Sequence, residues 1–169
     1  FRELISEVST EINLEKFVKK MFAVICDLLD CERATLFIND EKTNELYIDV
    51  GTGVNPNEIR FPNHMGIAGH VFTTGEIVNM PYPYADLRFN PGVDKQTGFF
   101  TRNLLCVPLK NKQGKTLGVC QALNKIGGHF IDYDISRLVA FTSQICIGME
   151  NASLFENIQS LMHYNESML

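Results

Sequence analysis

Two stretches of this 169-residue chain carry the groups best suited to gripping a small polar molecule. The first is Gly66-Ile67-Ala68-Gly69, which opens a short helix running from Ile67 to Thr74 and stopped by Gly75. A helix start offers N–H groups without an intrahelical partner and the positive end of the helix dipole, so it can hold a phosphate without Arg or Lys. Small residues there let the backbone come close, although the same four residues also suit a plain loop-to-helix turn. The second stretch places Asn90, Asp94, Thr97 and Thr101 at helical or turn spacing. A carboxylate acceptor such as Asp94 suits an exocyclic amino group or a ring N–H, and threonine hydroxyls donate to a phosphate or accept from a donor. Together such side chains can read a purine edge and a ribose; taken alone, they are equally at home as solvated loop residues.

Other chemistry finds less support. His64, His70, His129 and His163 show no metal-ligand spacing with one another or with cysteine, so no metal is expected. There is no Ser-His-Asp order, Walker loop or paired-carboxylate motif. Five cysteines, Cys26, Cys31, Cys106, Cys120 and Cys146, form an odd set without a disulfide framework or a signal peptide, which points to the cytosol. Cys106 and Cys120 fall on adjacent expected strands and can face each other, which leaves a thiol redox reading open beside that of small buried core residues. The formal charge of -5, with no Lys/Arg block longer than a dipeptide, argues against a nucleic-acid or anionic-membrane footprint. Hydrophobic residues at 45% and charged residues at 21% are ordinary for one globular core, and no apolar run approaches the roughly 20 residues of a membrane span.

The elements that must position these groups follow from periodicity. From the N-cap Asn13, the stripe Leu14, Phe17, Val18, Met21, Phe22, Ile25, Leu28 and Leu29 predicts an amphipathic helix, and Phe1, Leu4, Ile5 and Val8 a shorter incoming one. Arg33–Ile38 and Glu45–Val50 read as strands about a polar turn, the second ended by Gly51-Thr52-Gly53. Arg60-Phe61-Pro62 reads as a lead-in to Gly66, and Ile77–Met80 as a third strand. Pro81–Gly98 is expected to be a long ordered loop with a helical turn near Val93 to Gln96. Asn103–Leu109 and Thr116–Leu123 form a hairpin of two central strands, broken at Pro108. A final helix begins near Asp132; its stripe Ile135, Leu138, Thr142, Ile145, Met149, Ala152, Phe155, Ile158 and Met162 extends it to about 50 Å, first on the sheet and then against a partner helix. The chain opens and closes inside helical patterns without an initiator Met, as an excised piece of a larger protein would. The fold class is an α+β sandwich.

The hairpin run Gly98 to Lys125, the segment Gly66 to Val71 and the block Asp86 to Gly98 resemble the GAF domains of cyclic nucleotide phosphodiesterases and of bacterial adenylyl or diguanylate cyclases, over about residues 13 to 150. The resemblance implies a central antiparallel sheet with N- and C-terminal helices on one face and a ligand-covering loop with short helices on the other. It implies a linker helix over 1–12, the GAF domain over 13–150, and a connector over 151–169 to an output domain such as a cyclase or phosphodiesterase. The implied ligand is cAMP or cGMP, bound and not turned over, beneath the loop from Pro81 to Thr101. Ile67 and Ala68 would donate to the cyclic phosphate, Asp94, Thr97 and Thr101 would touch the ligand, and Asn90 falls where relatives can place an aromatic on the base. Thr35, Thr52 and Gln121 match pocket floor and walls. Asn124, Lys125, Phe130 and Asp134 match the Asn-Lys-Phe-Asp-Glu signature, with Ile135 in place of the final Glu, and imply a Lys125–Asp134 ion pair as a structural latch. No Cys-His pair of the bilin-anchoring kind occurs. A homodimer through the terminal helices is implied, with no further cofactor. The alternatives are a GAF dimerisation and relay module without nucleotide, or a redox enzyme resembling the free methionine sulfoxide reductases, using Cys106 and Cys120.

Overall fold

A computed structural model describes residues 14–51 and 59–167; the expected incoming helix, Asn13 and Thr52 lie outside the described residues. The chain forms α1 (Leu14–Leu29), β1 (Cys31–Asp40), β2 (Glu45–Gly51), β3 (Arg60–Pro62), α2 (Gly66–Thr74), β4 (Val78–Met80), a 3-10 turn (Pro83–Ala85), α3 (Gly92–Thr97), β5 (Leu104–Lys110), β6 (Thr116–Lys125) and α4 (Asp132–Ser167). The strands make one six-stranded antiparallel sheet in the order β3-β2-β1-β6-β5-β4. First and last long strands therefore meet at its centre, with Thr35 opposite Gln121.

Side chains alternate across the sheet, and that alternation divides the core in two. On one face Ala34 and Leu36 of β1, Leu105, Val107 and Leu109 of β5, and Cys120 and Ala122 of β6 pack with α1 and α4. Helix α1 buries Val18, Phe22, Ile25 and Leu29, the expected stripe, while Leu28 is exposed. Phe22 meets Phe141 of α4 edge to face, with ring centroids 5.5 Å apart. On the other face Phe37, Leu104, Cys106 and Val119 pack with Ile67, Ala68 and Val71 of α2. The helices and the covering segment thus occupy opposite faces. Helix α4 is 36 residues long, about 54 Å at 1.5 Å per residue.

Several expectations are corrected. Arg60–Pro62 is itself a strand, so Val78–Met80 is the fourth. The hairpin contributes one central strand, β6, whereas β5 lies next to the edge. Pro108 does not break β5: it stands opposite Val119, beyond the reach of β4, where β5 is itself an edge and a missing N–H is tolerated. Cys106 and Cys120 do not face each other. Cys106 stands opposite Gln121, and Cys120 opposite Val107, so the two thiols lie on opposite faces. Both are fully buried; burial pushes the Cys106 thiol up to about 12 and raises that of Cys120 further. The pairing required by the redox alternative is absent.

Phe22→Ala is expected to cost about 3–5 kcal/mol of stability, because it removes a ring packed between two helices and the sheet. Val24→Ala, at a position 56% exposed, should change stability by less than about 0.5 kcal/mol. Urea unfolding of the two variants measures both.

Candidate functional site

The face of the sheet opposite α1 and α4 holds a cavity of about 70 Å³. Its floor is Arg33, Thr35 and Phe37 of β1 with Gln121 and Leu123 of β6, alternate residues of two paired strands. One wall is the start of α2, and the roof is the segment from Phe89 to Thr101, which includes α3. Eight of the nine expected ligand residues, Thr35, Ile67, Ala68, Asn90, Asp94, Thr97, Thr101 and Gln121, line this one cavity; the ninth, Thr52, is outside the described residues.

Local chemistry explains how α2 presents its first turn. Gly66 has φ +68°, and a Cβ there would lie 3.2 Å from that of Asn90. At Gly69 a Cβ would stand 2.4 Å from the backbone carbon of His64, so only glycine lets the incoming chain pass. The helix ladder begins with Gly69 N–H donating to Met65 O at 3.0 Å. The N–H groups of Ile67 and Ala68 precede that first bond, and both residues line the cavity.

Asp94, 8% exposed, is the roof's anchor. One carboxylate oxygen accepts from the Thr101 hydroxyl at 2.8 Å, and the other from Thr101 N–H and from the Tyr84 hydroxyl, each at 2.8 Å. The Tyr84 phenol is held above its ordinary pKa by that hydrogen bond. Its ring stacks on Phe100 at 4.9 Å, so α3, the 3-10 turn and the entry to β5 are fastened at one carboxylate. Thr97 turns its hydroxyl to Val93 O at 2.9 Å. Asn90 caps its own turn, accepting from Gly92 N–H at 3.0 Å; the aromatic surface beside it comes from Phe89 and Phe99. Upstream, Arg88 donates to Asp86 three times, which holds that carboxyl down to about 2.

Behind the cavity lies a polar junction. Asn124, the penultimate residue of β6, lies in the left-handed region at φ 63°, a conformation asparagine tolerates better than most residues. Its side-chain oxygen accepts from Arg102 N–H at 2.6 Å, and its amide donates to Glu32 and to Phe100 O, each at 2.8 Å. Asn103 returns the bond, accepting from Lys125 N–H at 2.8 Å. The Lys125 ammonium donates to Asp134 at 2.8 Å and to Leu29 O at 2.7 Å, joining β6 to the start of α4 and the end of α1. Phe130 is buried in the core beneath α1 and α4.

Arg33, Phe99 and Tyr84 were not singled out in the sequence. Arg33 carried a readable signal, since it precedes Thr35 by one strand period; Tyr84 carried none, because its contact with Asp94 depends on the path of an irregular loop.

Comparison with known proteins places this architecture. Residues 13–149 match the GAF domain family, and the chain belongs to that family. It is 33% identical over 92% of its length to a dual 3',5'-cyclic-AMP and -GMP phosphodiesterase 11A of Takifugu rubripes, and 31% identical over its whole length to a cGMP-specific 3',5'-cyclic phosphodiesterase of Drosophila virilis. It spans only about a fifth of those curated relatives, 19% and 20% respectively. Among solved structures, the GAF domain of a phosphoenolpyruvate-protein phosphotransferase from Coxiella burnetii superposes with a TM-score of 0.79 at 21% identity, covering 92% of this chain and 94% of that one. Among the described residues no helix is long and apolar enough to cross a membrane.

The hydrogen bond from Asn124, followed by the Arg102 contact, holds the Glu32 carboxyl below its ordinary 4.5. A lowered carboxylate contributes stability that is present above the unfolded value and lost as pH falls through the folded one. The gap in melting temperature between the native chain and Glu32→Gln should therefore close as pH drops from about 5 to about 3. A gap that stays constant across that range contradicts the assignment.

Proposed function

We propose that this chain is a regulatory domain that binds a 3',5'-cyclic nucleotide, cAMP or cGMP, without turning it over, and passes the event to an output domain of the same protein such as a phosphodiesterase or cyclase. The observation that carries this reading is the convergence, on one cavity, of Ile67 and Ala68 at the start of α2 with Thr35, Gln121, Asp94, Thr97 and Thr101. The first pair suits a cyclic phosphate, and the polar side chains suit a purine edge and a ribose. The names of the relatives, 3',5'-cyclic phosphodiesterases, agree with that ligand class.

A cavity of about 70 Å³ is far below the roughly 300 Å³ of ordinary ligand clefts, so the roof must move to admit a nucleotide. The ligand then competes for groups that Asp94 and Thr101 now give each other. It shifts the equilibrium only by its differential affinity for the two arrangements. Thr101 is followed directly by Arg102 and Asn103, whose backbone is bonded to Asn124, so displacement of the roof bears on the strand end that Lys125 ties to α1 and α4. In this reading residues 13–150 are the sensor, 1–12 and 151–169 are connectors, and two copies pair through the terminal helices. Exposed Val24 and Leu28 of α1 and Ile147 of α4 favour that pairing, and would serve a relay module without nucleotide equally well.

Calorimetric titration with cAMP, cGMP and 5'-AMP tests the reading. Saturable binding of a cyclic nucleotide at least tenfold tighter than 5'-AMP, about 1.4 kcal/mol, is expected. Thr35→Val and Gln121→Leu should each weaken it by about 0.5–1.5 kcal/mol while the far-UV spectrum stays unchanged. Absence of heat with both cyclic nucleotides, on folded protein, would leave the dimeric relay.

A further inference from the structure

We infer that Cys26 and Cys31 form an oxidative modification site, which a hydroperoxide converts to a disulfide, and that this disulfide loosens the corner of the fold to which Lys125 is tied. The site lies on the helix face of the sheet and is separate from the nucleotide cavity. Cys26 stands in the last turn of α1, and Cys31 opens β1. Asp30, between the two elements, takes the left-handed conformation at φ 54°, so the chain turns within one residue and the two thiols meet. The Cys31 thiol donates to Arg33 O at 3.5 Å, and its sulfur is in hydrogen-bond contact with Cys26. Of the other cysteines, Cys106 lies on the opposite face, Cys120 is fully buried between Leu36 and Val107 of the neighbouring strands, and Cys146 is turned to Glu150 at 3.9 Å.

Exposure sets the order in which the two thiols react. Cys26 is partly exposed, whereas Cys31 is 5% exposed. The hydrogen bond with Cys26, followed by burial, holds the Cys31 thiol well above its ordinary pKa. The thiolate is the reactive form, so Cys26 meets the oxidant first. With hydrogen peroxide, the Cys26 sulfur attacks one oxygen, the O–O bond breaks, and the other oxygen leaves as water with the thiol proton, which gives the sulfenic acid. The Cys31 sulfur then attacks the Cys26 sulfur, the S–O bond breaks, and the hydroxyl departs as a second water with the Cys31 proton. The two sulfurs together give up two electrons, and the peroxide takes them.

The backbone between the two cysteines holds the neighbouring elements. Leu28 O accepts from Arg137 of α4 at 2.6 Å, Leu29 O from the Lys125 ammonium at 2.7 Å, and Asp30 O from Ile126 N–H at 2.8 Å. The first two are carbonyls of the last turn of α1, which have no partner within the helix. A disulfide needs its sulfurs about 2.0 Å apart, much closer than hydrogen-bond contact. Closing that gap draws in the residues between them and lengthens the three bonds.

Hydrogen peroxide is the probe. The native chain, Cys26→Ala and Cys31→Ala are each treated with it, alkylated under denaturing conditions and cut with trypsin, which leaves both cysteines in one peptide from Met21 to Arg33. In the native chain that peptide should lose two hydrogens and escape alkylation at both cysteines, and dithiothreitol should restore it. In Cys26→Ala, Cys31 should remain open to alkylation. Hydrogen exchange of the Ile126 amide should become about tenfold faster in the oxidised native chain and return on reduction. Cys31→Ala should stop at oxygen acids of Cys26 without the change at Ile126, which separates the disulfide from oxidation elsewhere. A disulfide from Cys26 to Cys120 or to a second copy would overturn the inference, as would both thiols staying reduced while methionines oxidise. So would a Cys26–Cys31 disulfide that leaves exchange at Ile126 unchanged.

Discussion

The side chain of Asn124 is the point on which the two faces of this sheet depend. The residue stands next to last in β6, in the left-handed region, and spends its amide on the backbone at Phe100, Arg102 and Asn103 and on Glu32. Few other side chains carry an acceptor and two donors in one plane, and Asp would put a second acceptor where Phe100 O and the Glu32 carboxylate require donors. Asn124 is 1% exposed and Asn103 3%, so a polar group left unsatisfied at either costs about 1–3 kcal/mol. That cost fixes where the roof of the cavity joins the sheet, and hence where Asp94 and Thr101 meet.

Lys125, the next residue, points the same strand end toward the helices. Its side chain is 19% exposed and that of Asp134 only 3%, so the pair is largely desolvated. Such a pair gives little net stability over an apolar replacement, but removing one partner costs about 3–5 kcal/mol. It therefore acts as a constraint on register, and the start of α4 cannot drift from β6. Two consecutive residues thus anchor the cavity roof on one side of the sheet and the long helix on the other.

The sheet and helices were legible because binary patterning speaks directly: Val18, Phe22, Ile25 and Leu29 repeat with the helix, and β1 alternates between its two faces. The α2 wall was legible because a helix start leaves N–H groups unpaired; the floor positions Thr35 and Gln121 came from the family resemblance, and their neighbour Arg33 was passed over. The roof was not legible. Tyr84 of the 3-10 turn reaches Asp94 of α3, ten positions on, through the path of the loop between them, and Arg33 lies on Phe99 only because the roof passes over β1. The Cys106 and Cys120 pairing failed by one residue of register, and in a sheet one residue means the opposite face.

Coupling between cavity and helix is the central claim, and backbone hydrogen exchange measures it most directly. With the cyclic nucleotide of the proposed function at saturation, the native chain should slow exchange both across Gly92 to Asn103 and in the first turns of α4 near Asp134, whereas Lys125→Met should keep the first effect and lose the second. Slowed exchange in the roof with no change at the start of α4 in the native chain would contradict the account.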